Sequence, residues 1–114
     1  MRAVGELPWV PAAQTQTPAA YPNKPIKLIV PFPAAGGGNS LARLVMLRAA
    51  KELGQPVLAD NLGGAGENVG SAAAAKAPAD GCTLLYGTNG TLAINHAIYK
   101  APGFSPTKDF APVT

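Results

Sequence analysis

The residues best placed to do chemistry stand at three junctions, each between an apolar run and a helical pattern. They are VPFPAAGGGNS (Val30 to Ser40), NLGGAGENVG (Asn61 to Gly70) and TNGT (Thr88 to Thr91). The side chains offered there are uncharged hydrogen-bonding groups: Asn39 and Ser40, Asn61 and Asn68, then Thr88, Asn89 and Thr91. The first N–H groups of a helix have no partner inside it, and the macrodipole is positive at that end. Backbone donors combined with hydroxyls and amides suit a small anion, a carboxylate held by hydrogen bonds and water rather than by a buried ion pair. Any one junction alone reads as an ordinary cap or turn. Three together favour a ligand edge. Arg43, one turn inside its helix, is expected to point away.

Competing chemistries fit less well. A phosphate-binding P-loop needs Lys after its last glycine, and none follows Gly38. A dinucleotide fingerprint begins at Gly36 and Gly38, but Leu41 stands at its last position. A second begins at Gly64 and Gly66, with Val69 in that place and Gly70 one residue late. No acidic residue ends the following strand, CTLLYG, so a nucleotide-binding α/β enzyme domain is the weaker alternative. His96 sits mid-segment in LAINHAIY, where a helix surface is the expected place. Asp60, Glu67, Asp80 and Asp109 make no recognisable acid–base pair. The expectation is a non-enzyme with no cofactor and no metal. Cys82, the one cysteine, lies in a strand-like run and reads as a small buried hydrophobe.

The elements that must position the junctions follow from periodicity and punctuation. Ile26–Val30 is short, β-branched and bounded by prolines, which predicts a buried strand. Asn39 is the expected N-cap of a helix ending at Leu53, with Gly54 as its stop. Leu41, Leu44, Val45 and Ala49 form its expected apolar stripe. Val57–Asp60 is a second strand, and an alanine-rich helix runs roughly from Glu67 to Lys76. Cys82–Gly87 is a third strand, followed by a short helix over LAINHAIY and a proline-rich connection. Three β-loop-α units imply an α/β fold with a parallel sheet and right-handed crossovers. The three loops then share the carboxyl edge of the sheet, where open α/β sheets bind ligands.

The chain has 114 residues, 47% of them apolar and only 6% aromatic, so one small domain packed through small side chains is expected. The formal net charge is +3, with basic residues scattered singly, which argues against a nucleic-acid partner. No run reaches transmembrane length. The N-terminus, MRAVGELPWVPAAQTQTPAA, has an early Arg and small residues at its end. Gly5, Glu6, Pro8 and Pro11 interrupt the apolar core that an export leader needs. Residues 1–20 are therefore set outside the fold as a disordered or degenerate leader.

YPNKPIKLIVPFPAAGGGNSLAR, KELGQPVLADN, GAGENVG, KAPADGCTLLYGTNGTLAIN and KDFAPVT together resemble the Bug family of extracytoplasmic solute receptors, of the tripartite tricarboxylate transporter (TctC-like) type. The resemblance implies a type II periplasmic-binding-protein domain, periplasmic localisation, a small carboxylate solute and membrane transporter components as partners. It also implies ligand contacts from the first loop and helix start: Phe32, Pro33, Ala34, Ala35, Gly36, Gly37 and Asn39. The second loop would supply Gly64, Ala65, Gly66 and Asn68, and the third Thr88, Asn89 and Thr91. The chain departs from the family pattern at several points. Asn39 stands where Asp is usual, Ala35 replaces a glycine, and Leu62, Gly63 and Glu67 replace Arg, Pro and Gly. His96 stands where Pro is usual. Glu67 brings negative charge to a proposed anion site.

Members of that family are about three times longer. Residues 21–114 are accordingly expected to be an incomplete N-terminal α/β domain, one wall of a cleft. A truncated remnant that binds nothing is the other reading of the same length.

Overall fold

The computed structural model describes residues 20–113; the leader expected over residues 1–20 lies outside them except for Ala20. Strand β1 (Ile26–Val30) is followed by helix α1 (Gly37–Leu53), β2 (Val57–Asn61), α2 (Asn68–Lys76) and β3 (Thr83–Leu85). A π-helical turn, Gly90–Ile94, then runs directly into the short α3, Asn95–Ile98. The sheet order is β2-β1-β3, with both pairings parallel. This is the α/β arrangement expected from the alternation of apolar runs and glycine-rich turns.

Central position explains the composition of β1. A parallel strand with a helix on each face must be apolar on both, and Ile26, Leu28, Ile29 and Val30 are all buried. Leu28 and Val30 pack with Ala42 and Met46 of α1, and Phe32, Val57, Ala59, Leu84 and Tyr86 close around that cluster. Ile29 and Pro31 point to the other face. There α2 crosses at Gly70, where a Cβ would lie 2.6 Å from the Leu62 carbonyl oxygen and 2.9 Å from Pro31 Cα. Only a residue without a side chain permits that approach.

Helix α1 differs from expectation in two ways. Its N-cap is Gly36 rather than Asn39, which sits one turn inside and is buried. Its buried face is Asn39, Ala42 and Met46. The expected stripe is turned outward, with Leu41, Leu44 and Val45 at 54%, 66% and 57% exposure. The physical reason is the close approach of α1 to the sheet, which the small Ala42 and the flexible Met46 allow and a row of leucines does not. Helical periodicity located the helix and could not choose between two adjacent apolar rows. The C-terminus is as expected: Gly54 is left-handed (φ +72°), and its N–H donates to the Ala50 carbonyl.

Candidate functional site

Register places the three junctions side by side. Val30 stands opposite Asn61 and Ile29 opposite Leu85, so β1, β2 and β3 end at nearly the same level and their loops leave from one rim. The edge expected from topology is therefore the edge the chain builds.

Asparagines stitch the loops together. Asn61, at the end of β2, donates from Nδ2 to the Phe32 carbonyl (3.0 Å) and to Asn39 Oδ1 (2.9 Å). Asn39 in turn donates to the Ala34 carbonyl at 2.8 Å, which folds the first loop back onto its own helix. Asn95, at the start of α3, donates to Asn68 Oδ1 and to the Gly66 carbonyl, both at 2.7 Å. Thr91 is fully buried; its Oγ1 accepts the Thr88 N–H (2.8 Å) and donates to the Thr88 carbonyl (3.1 Å). A buried polar group left unpaired costs about 1–3 kcal/mol, so these partners hold the loops in one arrangement.

This network divides the fourteen expected site residues. Asn39, Asn68 and Thr91 are buried and engaged inside the protein. They position the loops rather than face solvent. Pro33, Ala34, Ala35, Gly36, Gly37, Gly64, Ala65, Gly66 and Asn89 are exposed on the rim, with Phe32 and Thr88 half-buried. Phe32 meets Tyr86 edge-on, ring centroids 5.6 Å apart, and its ring fills the space beside Gly38, where a Cβ would lie 2.8 Å from it. At the start of α1, the Asn39 and Ser40 amides turn back to the Gly36 carbonyl. The Gly37 and Gly38 amides precede the first possible helical hydrogen bond and have no backbone partner among the described residues.

The second loop carries backbone strain. Ala65, Gly66 and Glu67 follow one another at φ +49°, +62° and +77°, closed by the Asn68 N–H on the Ala65 carbonyl at 3.2 Å. For a residue with a Cβ this region costs roughly 1–2 kcal/mol. Glu67 is the residue whose side chain then crosses to the third loop, where the Thr88 hydroxyl donates to its carboxylate.

Sequence reasoning missed Asn95 and underused Asn61. The signal was present in both: an amide side chain ending an apolar strand, and another inside the helical LAIN segment, each where a buried loop needs its carbonyls satisfied. Arg43 is exposed, as expected. His96 is also exposed, and its ring lies against Phe104, centroids 5.5 Å apart. Cys82 is buried. No group of three or more His, Cys, Asp or Glu among the described residues is arranged to hold a metal ion. No helix among them is long and apolar enough to cross a membrane. Two open, shallow hollows lie off the rim. One, about 780 Å³, borders the C-terminal half of α1 and Pro56; the other, about 370 Å³, lies by Lys24 and Asp80.

Residues 41–114 match the model of the tripartite tricarboxylate transporter family receptor. The UPF0065 protein in the TAR-I ttuE-ttuC' intergenic region of Agrobacterium vitis is 42% identical over 107 residues, covering 94% of this chain and 30% of that protein. A solved structure described as a periplasmic transporter superposes with a TM-score of 0.81 at 48% identity, over 83% of this chain and 32% of its own. MatC from Rhodopseudomonas palustris, solved with bound malate, gives 0.78 at 36% identity, over 82% and 32% respectively. The chain thus spans about 30% of the length of the curated relatives it matches.

Proposed function

The chain belongs to the tripartite tricarboxylate transporter family of receptors, and on that premise we propose that residues 21–114 form one wall of a periplasmic solute-binding cleft. The solute is a small carboxylate, and the receptor hands it to the membrane components of a tripartite uptake system. The bound malate of MatC supports the solute class. On this reading the carboxylate is held by main-chain N–H groups at the start of α1, centred on Gly37 and Gly38, with the second loop from Gly64 to Gly66 closing beside it; the Gly36 N–H is spent on the Pro33 carbonyl. Asn39, Asn68 and Thr91 act from behind by fixing those loops. The observation that carries the reading is the shared rim: the three strand ends are level, and asparagine side chains join loop one to loop two and loop two to the helix that follows loop three.

The rim holds no basic side chain to balance a bound anion. Residues 31–42, 61–75 and 87–95 contain no Lys or Arg. Attraction therefore rests on oriented amides, which suits reversible capture. A single wall leaves the ligand largely solvated, so affinity for this chain alone is expected in the millimolar range. Titration of the 15N-labelled chain with malate and, separately, with the monocarboxylate butyrate tests this. Saturable shifts confined to the amides of Gly36–Gly38 and Gly64–Glu67 are expected. Shifts confined to the opposite end of the sheet, or none, would overturn the site. A micromolar dissociation constant would overturn the one-wall reading.

A further inference from the structure

We propose that Glu67 sets the class of carboxylate this rim accepts, favouring a monocarboxylate whose other end carries a hydrogen-bond donor or a cation over a dicarboxylate. The inference rests on the rim being the solute site. Glu67 is the one charged residue in the three rim segments 31–42, 61–75 and 87–95. It occupies a backbone position at φ +77°, where glycine would be unstrained. Strain retained at a residue whose side chain bridges two loops of a candidate site points to use of that side chain.

The hydrogen bonding gives the rim a direction. Glu67 Oε2 accepts the Thr88 hydroxyl, and Gly90 leaves room for it: a Cβ there would lie 3.3 Å from that oxygen. Thr91 Oγ1 spends its proton on the Thr88 carbonyl. Both hydroxyl donors of the third loop are thus already engaged. Glu67 Oε1 has no hydrogen-bond partner among the described residues. The first loop therefore presents donors at Gly37 and Gly38, and the junction of the second and third loops presents an acceptor. A solute carboxylate suits the first. A second carboxylate would meet like charge at Glu67, whereas an amide or ammonium group would find an acceptor. Selection of this kind works by repulsion of the wrong solute as much as by attraction of the right one.

The test compares succinate, its half-amide succinamate, and β-alanine, each titrated into the 15N-labelled chain. Wild-type protein is expected to bind succinamate and β-alanine about tenfold more tightly than succinate, the factor for one close like-charge contact at a partly solvated site. Glu67→Gln should bring succinate to within about twofold of succinamate. Glu67→Gly removes the charge and the backbone strain together, so it gives the same readout if the glutamine variant fails to fold. Equal wild-type affinities, or a ranking unchanged in both variants, would overturn the role of Glu67 while leaving the site intact. Absence of rim shifts with all three solutes in every protein would instead sink the site, and this proposal with it.

Discussion

Asn95 Nδ2 lies 2.7 Å from Asn68 Oδ1, and the same amide reaches the Gly66 carbonyl at the same distance. A side chain at the start of α3 thereby ties the first residue of α2 to the strained turn that precedes it. Replacing Asn95 with Ala strips the buried Asn68 Oδ1 and the part-buried Gly66 carbonyl of their donor. A loss of about 2–3 kcal/mol is expected in urea denaturation, with faster amide exchange at Ala65–Asn68. A change under about 0.5 kcal/mol would show that the network is ornamental.

The two faces of α1 should answer mutation differently. Met46 is buried in the core cluster, and Met46→Ala should cost about 2–4 kcal/mol. Leu44→Ala and Val45→Ala, on the exposed row, should stay within about 0.5 kcal/mol. Denaturant midpoints of the three variants decide it; a reversed ranking would restore the face expected from periodicity.

Glycines of the rim and its surroundings divide by what a methyl group would meet. At Gly70 the obstacles are backbone atoms that cannot swing aside, so Gly70→Ala should destabilise by about 2 kcal/mol or more. At Gly37 nothing lies within 4 Å and the backbone is helical, so Gly37→Ala should be neutral or slightly stabilising. Thermal unfolding of the pair provides the comparison, and equal effects would contradict it.

Lys24 and Asp80 meet at 2.7 Å on the surface, joining the segment before β1 to the turn before β3. The hydrogen bond from Lys24, then that from the Cys82 N–H, holds the Asp80 carboxyl below its ordinary 3.8. The hydrogen bond to Asp80 and its charge hold Lys24 above its ordinary 10.5. A lowered acid contributes stability that is present above its unfolded value and lost as pH falls through the folded one. A raised base contributes stability that is present below its unfolded value and lost as pH rises through the folded one. The melting-temperature gap between wild type and Lys24→Met should therefore be flat across neutral pH and close in both strong acid and strong base. Both groups are solvated, so the gap should be small and shrink with salt. A gap that persists at both extremes would assign the effect to packing.

Much of the architecture could be read from local residues. The β-branched run at Ile26–Val30, the stop at Gly54 and the glycine-rich junctions each have a local cause, and local causes are visible in a linear chain. Asn39 was harder. Its amide side chain is as good at capping a helix as at filling a buried bond, and the choice was made by Asn61, 22 residues away. The facing of α1 was hidden for the same reason, because the row that turns inward depends on how near the sheet lies. Glu67 was legible as a misplaced charge. Its partner Thr88 was not, since a contact across 21 residues leaves no spacing to detect.

The strand made first is the one that must wait longest. β1 occupies the middle of the sheet, so its two neighbours are strands that leave the ribosome later, each after a helix. Until Leu85 has been synthesised, one side of Ile26–Val30 has no ladder to join, and its apolar side chains remain without their full cover. Assembly is thus governed by late, long-range closure rather than by early local structure. During that interval the nascent chain exposes its most adhesive segment, which is when a holding chaperone would matter most.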